Sequence, residues 1–452
     1  MSKFGEVLQN IIINPGKKRN DYYNRIFVVS AYSNVTNWLL EHKKTNEPGI
    51  YQKFVNNEDY NQSLQQLLKK LIAINHGFEN IGLDLDVADE FITNRLNKSK
   101  NYLQSLTDVL ATGYVNRQNI LLAGREILSS IGEAHAAFNS VNILMNNDIN
   151  AIFVDLCGFD DSRYLTIDER IHDAFRNMNY ASSIPVVTGY TKGTEGIMRE
   201  FDRGYSEVTF SKVAVEVKAD EAIIHKEFHL SSADPKIVGL EKSVPVCFTN
   251  FNVADQLADI GMEAIHPKAS KPLEMAGINI RIKNTFEPDH PGTLISKGYI
   301  DEKSKVEIIS GTPQVVAIEI HDPLMVGQVG YDRTIMERFE QYNISYILKA
   351  TNANSITMVI WEDDLAPELV KQLKEKYYEV TIKPVALVCA LGTNIAKPGI
   401  IAKATHALAV NRINIEAISQ SMKQVNMQFV IAREDYEKAV LVLNETLCLN
   451  ND

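Results

Sequence analysis

Residues 26–40 read IFVVSAYSNVTNWLL, and the order of residue types in this stretch decides the fold. Ile26, Phe27, Val28 and Val29 make a short apolar strand, the polar run 30–37 follows at its C-terminal end, and Trp38, Leu39 and Leu40 resume as helix. An apolar strand that opens into small hydroxyl and amide residues and then into a helix is how an open α/β sheet presents ligand groups at its edge. A plain strand-to-helix turn, with Ser and Thr as caps, fits the same spacing equally well.

Toward the N-terminus, Phe4, Val7, Leu8, Ile11 and Ile12 fall on one helical stripe, and Asn14-Pro15-Gly16 is expected to end it. Gly5 therefore lies inside a helix. A phosphate-binding loop would need a strand before it and a cluster of glycines, so Lys3 reads as a surface lysine near a helix start. Toward the C-terminus, residues 41–135 are mostly helical by pattern, clearest in LLKKLIAI and LAGREILSSIGEAHAAFNSV. Glu133 places a carboxylate on a largely apolar helix, where an unpaired charge is costly, so it either pairs with a basic neighbour or meets a ligand amine.

From Ala151 strand and helix alternate: AIFVDL, SIPVVTGYT, EAIIHKEF and NINIRIKNTF are strands with helices between them. This implies a mainly parallel sheet sandwiched by helices, with a substrate beyond the strand C-termini. The run DRGYSE, 202–207, joins a guanidinium able to grip a carboxylate, a glycine permitting close approach, and Ser206 and Glu207 at a helix start. Taken alone it also reads as a capping serine with surface charges. Residues 313–380 and 383–452 then repeat one plan of strand, helix, two strands, helix and strand.

Composition narrows the class. A chain of 452 residues suggests two to four domains. A formal charge of -11 argues against nucleic-acid binding, which rests on a basic face. Cys157, Cys247, Cys389 and Cys448 lie far apart, with no disulfide or metal spacing. No stretch approaches the roughly 18 to 20 apolar residues of a membrane span, and no signal peptide is apparent, so a cytoplasmic protein is expected.

Several runs, in order along nearly the whole chain, resemble the aspartate kinases. VVSAYSNVTN is similar to that family's V-V-S-A-x-S-G-x-T-N, and SIGE to its S-x-G-E. PVVTGY and DRGYSE resemble P-V-V-T-G-F and G-R-G-G-S-D; SSADPKIV resembles T-A-D-P-R-x-V; and EAIHPKASKPLEMAGINIRIKNTFEPDHPGTLI parallels the long segment that closes the family's catalytic part. The likeness is strongest to the divergent type found in ectoine-biosynthesis clusters. The repeat resembles paired ferredoxin-like βαββαβ ACT domains, which in the family sense amino acids and join subunits.

The resemblance implies an amino-acid-kinase domain over 1–305, carrying the helical insertion at about 41–135, and ACT domains over 306–380 and 383–452. It implies phosphorylation of the L-aspartate side chain by ATP with Mg²⁺, in a homo-oligomer with an amino-acid effector at the ACT domains and no nucleic-acid or membrane partner. The nucleophile needs no general base, because an aspartate carboxyl of pKa about 3.9 is already ionised. Positioning and charge neutralisation must supply catalysis. Carried over by motif, Arg203 would hold the substrate α-carboxylate and Glu133 would face its α-amino group. Ser30 and Thr36 would hydrogen-bond near the reacting end, with Ser206 and Glu207 organising the helix start. The nucleotide would meet Lys226, Ser231 and Lys236, or else be held weakly, and no side chain is assigned to a metal.

Departures from the pattern qualify this transfer. Asn34 replaces a glycine but tolerates positive φ. Tyr205 replaces the middle glycine of R-G-G-S-D, and Glu207 stands where aspartate is usual. The nucleotide-binding W-T-D-V-D-G-V-Y reads IHKEFHLS here, 224–231, and Glu263 stands where lysine is common. The family's K-F-G-G-T-S loop would fall before Met1, so the expectation is a chain lacking that strand, through a late start or a shortened gene. A non-catalytic amino-acid-binding or assembly subunit derived from such a kinase is the alternative. An amino-acid kinase acting on glutamate or a carbamoyl group fits the tandem repeat less well.

Overall fold

The computed structural model describes residues 3–19, 22–42, 45–201, 204–262 and 265–449, with backbone alone at 17–19. Two compact units emerge. The first holds the chain as far as Ala222 together with Lys268–Ile278 and Thr285–Pro288; the second holds Ile223–Pro267, Asn279–Asn284 and the chain from Asp289 onward.

In the first unit β1 (Phe27–Val29), β2 (Ala151–Val154) and β3 (Ile184–Thr188) form a parallel sheet in the order β1-β3-β2. Val29 stands opposite Thr188 and Val154 opposite Val187, so the three C-terminal ends lie at one edge. The expected helical region is present as Asn61–His76, Leu85–Ala111 and Arg117–Met145. Each helix shows its reason in sequence. Leu64, Leu67, Leu71 and Ile74 line one buried stripe, as do Ala88, Ile92, Leu96 and Leu103, and Asp84 caps the second helix by accepting from the Val87 N–H at 3.2 Å.

The N-terminal helix does not stop at Asn14-Pro15-Gly16. It runs from Phe4 to Leu8, passes through a π-helical turn at Gln9–Ile13, and continues as α-helix over Asn14–Arg19. Pro15 has no N–H to offer the preceding turn. The wider turn leaves carbonyls to be satisfied elsewhere, and the Arg25 guanidinium donates to Ile11 O at 3.2 Å and Ile12 O at 3.4 Å.

In the second unit β4 (Glu221–Lys226), β5 (Phe248–Asn250), β6 (Asn279–Asn284) and β7 (Thr293–Ser296) form a mixed sheet in the order β4-β6-β7-β5. β5 and β7 are parallel, whereas β6 and β7 are antiparallel. Residues 285–292, which join the latter pair, are too few for a parallel crossover.

The same unit carries a six-stranded sheet of β8 (Ile308–His321), β9 (Leu348–Thr351), β10 (Ser355–Trp361), β11 (Glu379–Leu391), β12 (Ile415–Ser419) and β13 (Asn426–Ala432), ordered β12-β13-β11-β8-β10-β9. The repeat read from sequence is there, with one rearrangement. No strand follows the second copy's last helix among the described residues; a π-helical turn, Glu445–Leu449, stands there instead. The open position beside β11 is filled by the start of β8, with Ile308 opposite Leu391 and Thr312 opposite Leu387. The rest of β8 serves the first copy, pairing with 379–385 across a register shift. Val316, Ile318 and Ile320 pack on Ile335, Phe339, Leu369 and Leu373, while Val315, Val385 and Leu387, on the other face, meet Val253 and Leu257 of the helix Phe251–Asp259.

Candidate active site

The first unit gathers the substrate-side residues at the C-terminal edge of its parallel sheet. β1 runs out at Val29 into Ser30, and Asn34 turns the chain into the helix Val35–Leu39 at φ 68°, the left-handed conformation an asparagine accepts. On the neighbouring strand Gly189 follows β3 and donates its N–H to Val29 O at 2.9 Å. A Cβ on Gly189 would stand 2.6 Å from Ser206 Oγ and 2.7 Å from Val29 O. That lack of a side chain lets the helix Tyr205–Glu216 begin against the sheet edge, after Gly204 at φ 95°. Ser206 Oγ donates to Ser30 Oγ at 3.3 Å, and Glu207 lies in the first helical turn. Peptide N–H groups at such a helix start favour an anionic ligand.

Glu133 reaches the same place from the helix Arg117–Met145. Its neighbour Gly132 allows that helix to press on the loop after β1, since a Cβ there would meet Ala31 Cβ at 2.6 Å. The Glu133 carboxyl is 1% exposed. Oε1 accepts from the Tyr205 hydroxyl at 2.8 Å, and Oε2 is buried without a hydrogen-bond partner among the described residues. Burial pushes the carboxyl up to about 7, a rise partly offset by the Tyr205 hydroxyl and the backbone N–H groups of Glu133 and Ala31. Thr36 stands beside the Tyr205 hydroxyl, whose own pKa is pushed well up by burial and then by the Glu133 charge.

Thus Ser30, Thr36, Glu133 and Ser206 come together, with Glu207 one residue further along the same helix. Arg203 lies outside the described residues. The three residues expected at the nucleotide belong to the second unit. Lys226 ends β4; Ser231 is buried, bridges to Pro245 and donates to His229 O at 3.4 Å; Lys236 is exposed on the short helix Pro235–Val238, which Asp234 caps. Nearby on β4, burial and the Lys283 charge push His225 down to about 4.

Sequence reasoning missed three contributors. Tyr205 was noted only as a lost glycine, yet it is buried and bonds Glu133. Tyr190 donates to Glu126 Oε2 at 2.5 Å, and Glu126 Oε1 accepts the Met198 N–H at 2.8 Å. The available signal was the pair of tyrosines standing where the family pattern has Phe and Gly, opposite two glutamates spaced by two helical turns.

Comparison with known proteins agrees with this architecture. A model of the amino acid kinase family matches residues 5–284, and an ACT domain model matches 388–447. The chain is 44% identical to aspartate kinase Ask_Ect of Stutzerimonas stutzeri (strain A1501) over 454 residues, covering 99% of this chain and 95% of that protein. It is 25% identical to chloroplastic aspartokinase 1 of Arabidopsis thaliana over 376 residues, 78% of this chain and 65% of the relative. Among solved structures, the fold is similar to Clostridium acetobutylicum aspartate kinase (TM-score 0.74, 21% identity, 96% and 95% of the two chains). It is similar also to E. coli aspartokinase III in complex with aspartate and ADP (TM-score 0.68, 18% identity, 94% and 93%). With the family model spanning more than half of its length and a near full-length relative at 44% identity, the chain belongs to the aspartate kinase family.

Proposed function

We infer that this chain transfers the γ-phosphoryl group of ATP to the side-chain carboxylate of L-aspartate, giving 4-phospho-L-aspartate and ADP, as an aspartate kinase of the ectoine-cluster type. The observation that carries this reading is the 44% identity to Ask_Ect over 99% of the chain. No observation favours the non-catalytic alternative.

The chemistry asks two anions to meet, so the protein must hold and neutralise rather than abstract a proton. In the proposed assignment Arg203 grips the substrate α-carboxylate and Glu133 receives its α-ammonium. Ser30 and Thr36 hydrogen-bond near the reacting carboxylate, and Ser206 and Glu207 set the helix start at which negative charge accumulates. Lys226, Ser231 and Lys236 are assigned to the nucleotide. Bound with ATP, Mg²⁺ would neutralise charge on the phosphates. Among the described residues no group of three His, Cys, Asp or Glu side chains is placed to hold a metal ion.

The domain division at 1–305, 306–380 and 383–452, homo-oligomerisation through the ACT folds, and an amino-acid effector there belong to the same proposal. Supporting the effector, E. coli aspartokinase III has been solved in complex with lysine and aspartate. A cytoplasmic location is proposed from the biosynthetic reaction; no helix among the described residues is long and apolar enough to cross a membrane. Coupled ADP-release and aspartyl hydroxamate assays test the activity. ADP release that depends on L-aspartate, with hydroxamate formed in step, is expected; hydroxamate absent at saturating ATP and aspartate would sink the reading.

A further inference from the structure

Tyr190 and Tyr205 depart from the family pattern in the same direction. Each replaces a residue without a hydroxyl, each is buried, at 3% and 4% exposure, and each hydroxyl lands on a glutamate of one helix. Tyr190 bonds Glu126 at 2.5 Å and Tyr205 bonds Glu133 at 2.8 Å. Two helical turns separate the glutamates, which places them on one face. The tyrosine rings meet edge to face with centroids 5.9 Å apart, the arrangement aromatic pairs prefer.

The two pairs are not equivalent. Glu126 has both oxygens engaged, the second by the Met198 N–H at 2.8 Å. Glu133 has one oxygen engaged by Tyr205; the nearby N–H groups of Glu133 and Ala31 favour its charged form, but Oε2 is buried with no donor in hydrogen-bond geometry among the described residues. A buried carboxylate with an unused acceptor is costly unless something arrives to use it. Its partner is also a neutral phenol. An arginine or lysine in that position would cancel the charge, whereas a phenol orients the carboxylate and leaves the charge for a cation.

We propose that Tyr205, steadied by the Tyr190–Glu126 pair, is a positioning residue that fixes the Glu133 carboxylate so that Oε2 receives the substrate α-ammonium. This rests on the aspartate reading of the site. Calorimetric titration of the full chain with L-aspartate, alongside steady-state kinetics, tests it on Tyr205→Phe, Tyr190→Phe and the double variant. Tyr205→Phe keeps the ring and removes only the donor. It is expected to raise the aspartate Kd and KM roughly tenfold, as for loss of a hydrogen bond to a charged group, with KM for ATP unchanged and kcat changing far less. Tyr190→Phe should shift the aspartate constants in the same direction by about threefold, and the double variant by less than the product, because one acts through the other.

An unchanged aspartate Kd in Tyr205→Phe overturns the proposal. So does a parallel loss of aspartate and ATP binding with a lowered melting temperature, which marks a merely structural role. A chain that binds aspartate but does not phosphorylate it refutes the kinase reading while the binding series still decides this one. A chain that does not bind aspartate overturns the proposal outright.

Discussion

Glu133 concentrates the energetic problem at the residue scale. A carboxylate so deeply buried, with a phenol for its hydrogen-bond partner, is costly to ionise, and its pKa near 7 expresses that cost. The neighbouring tyrosines are pushed well up and His135, one helical turn's fraction away, is pushed down to about 3 by burial, so none of these titrates beside it near neutrality. If the carboxylate form receives the substrate ammonium, kcat/KM for aspartate should rise about tenfold per pH unit below about 7 and level off above it. Glu133→Gln should flatten that rise and lower the plateau by roughly 10- to 100-fold, the loss expected for a buried charged hydrogen bond. Stability carries the opposite sign. The folded pKa exceeds the unfolded value, so the wild-type protein loses stability as pH climbs from about 4.5 to about 7, and the melting temperature of Glu133→Gln should gain on wild type across that window.

Where two elements meet, small residues decide what can approach. Gly189 closes the gap between the end of β3, the end of β1 and the first turn of the helix Tyr205–Glu216. Gly189→Ala would place a methyl group 2.6 Å from Ser206 Oγ and 2.7 Å from Val29 O, and the latter is backbone that cannot rotate away. The substitution should cost about 1–3 kcal/mol in denaturant unfolding and should weaken activity by more than its stability loss accounts for, because Ser206 and Ser30 are driven apart. An unaltered melt together with unaltered aspartate kinetics would contradict this contact. The N-terminal helix shows the converse case, in which a proline that ought to break a helix is carried through by a π-helical turn and a distant arginine.

On the scale of the molecule, the second unit crosses the sequence boundary between kinase and ACT regions. Glu307, just before β8, accepts from Thr249 Oγ1 at 2.9 Å and from the Thr393 N–H at 2.8 Å, tying β5 of the four-stranded sheet to the end of the central strand pair where β8 begins and β11 finishes. β8 and β11 are that pair, shared by the two repeat copies. Gly311 sits where β8 passes from one copy to the other, and a Cβ there would come within 2.1 Å of Leu387 O. Gly311→Val should therefore cost about 3–5 kcal/mol, read as a lower urea midpoint of the full chain, because the strain falls on backbone shared by both copies. A midpoint within experimental error of wild type would show that the strand pair tolerates separation.

The sequence by itself determined most of the elements, their order and part of the site's chemical inventory. Local periodicity and turn chemistry are written in neighbouring residues, as in IFVV running into SAYSNVTN or the leucine stripe from Leu64 to Leu71. Motif order likewise brought Ser30, Thr36, Glu133 and Ser206 into one hypothesis before their proximity could be seen. Only the tertiary structure decided that β8 completes the second repeat, that the strands divide between a parallel and a mixed sheet, and that Tyr190 and Tyr205 aim at glutamates on one helix. These depend on partners far apart in the chain, Glu133 and Tyr205 being 72 residues distant. A residue type announces what it can donate or accept; burial and long-range packing choose which atom it meets.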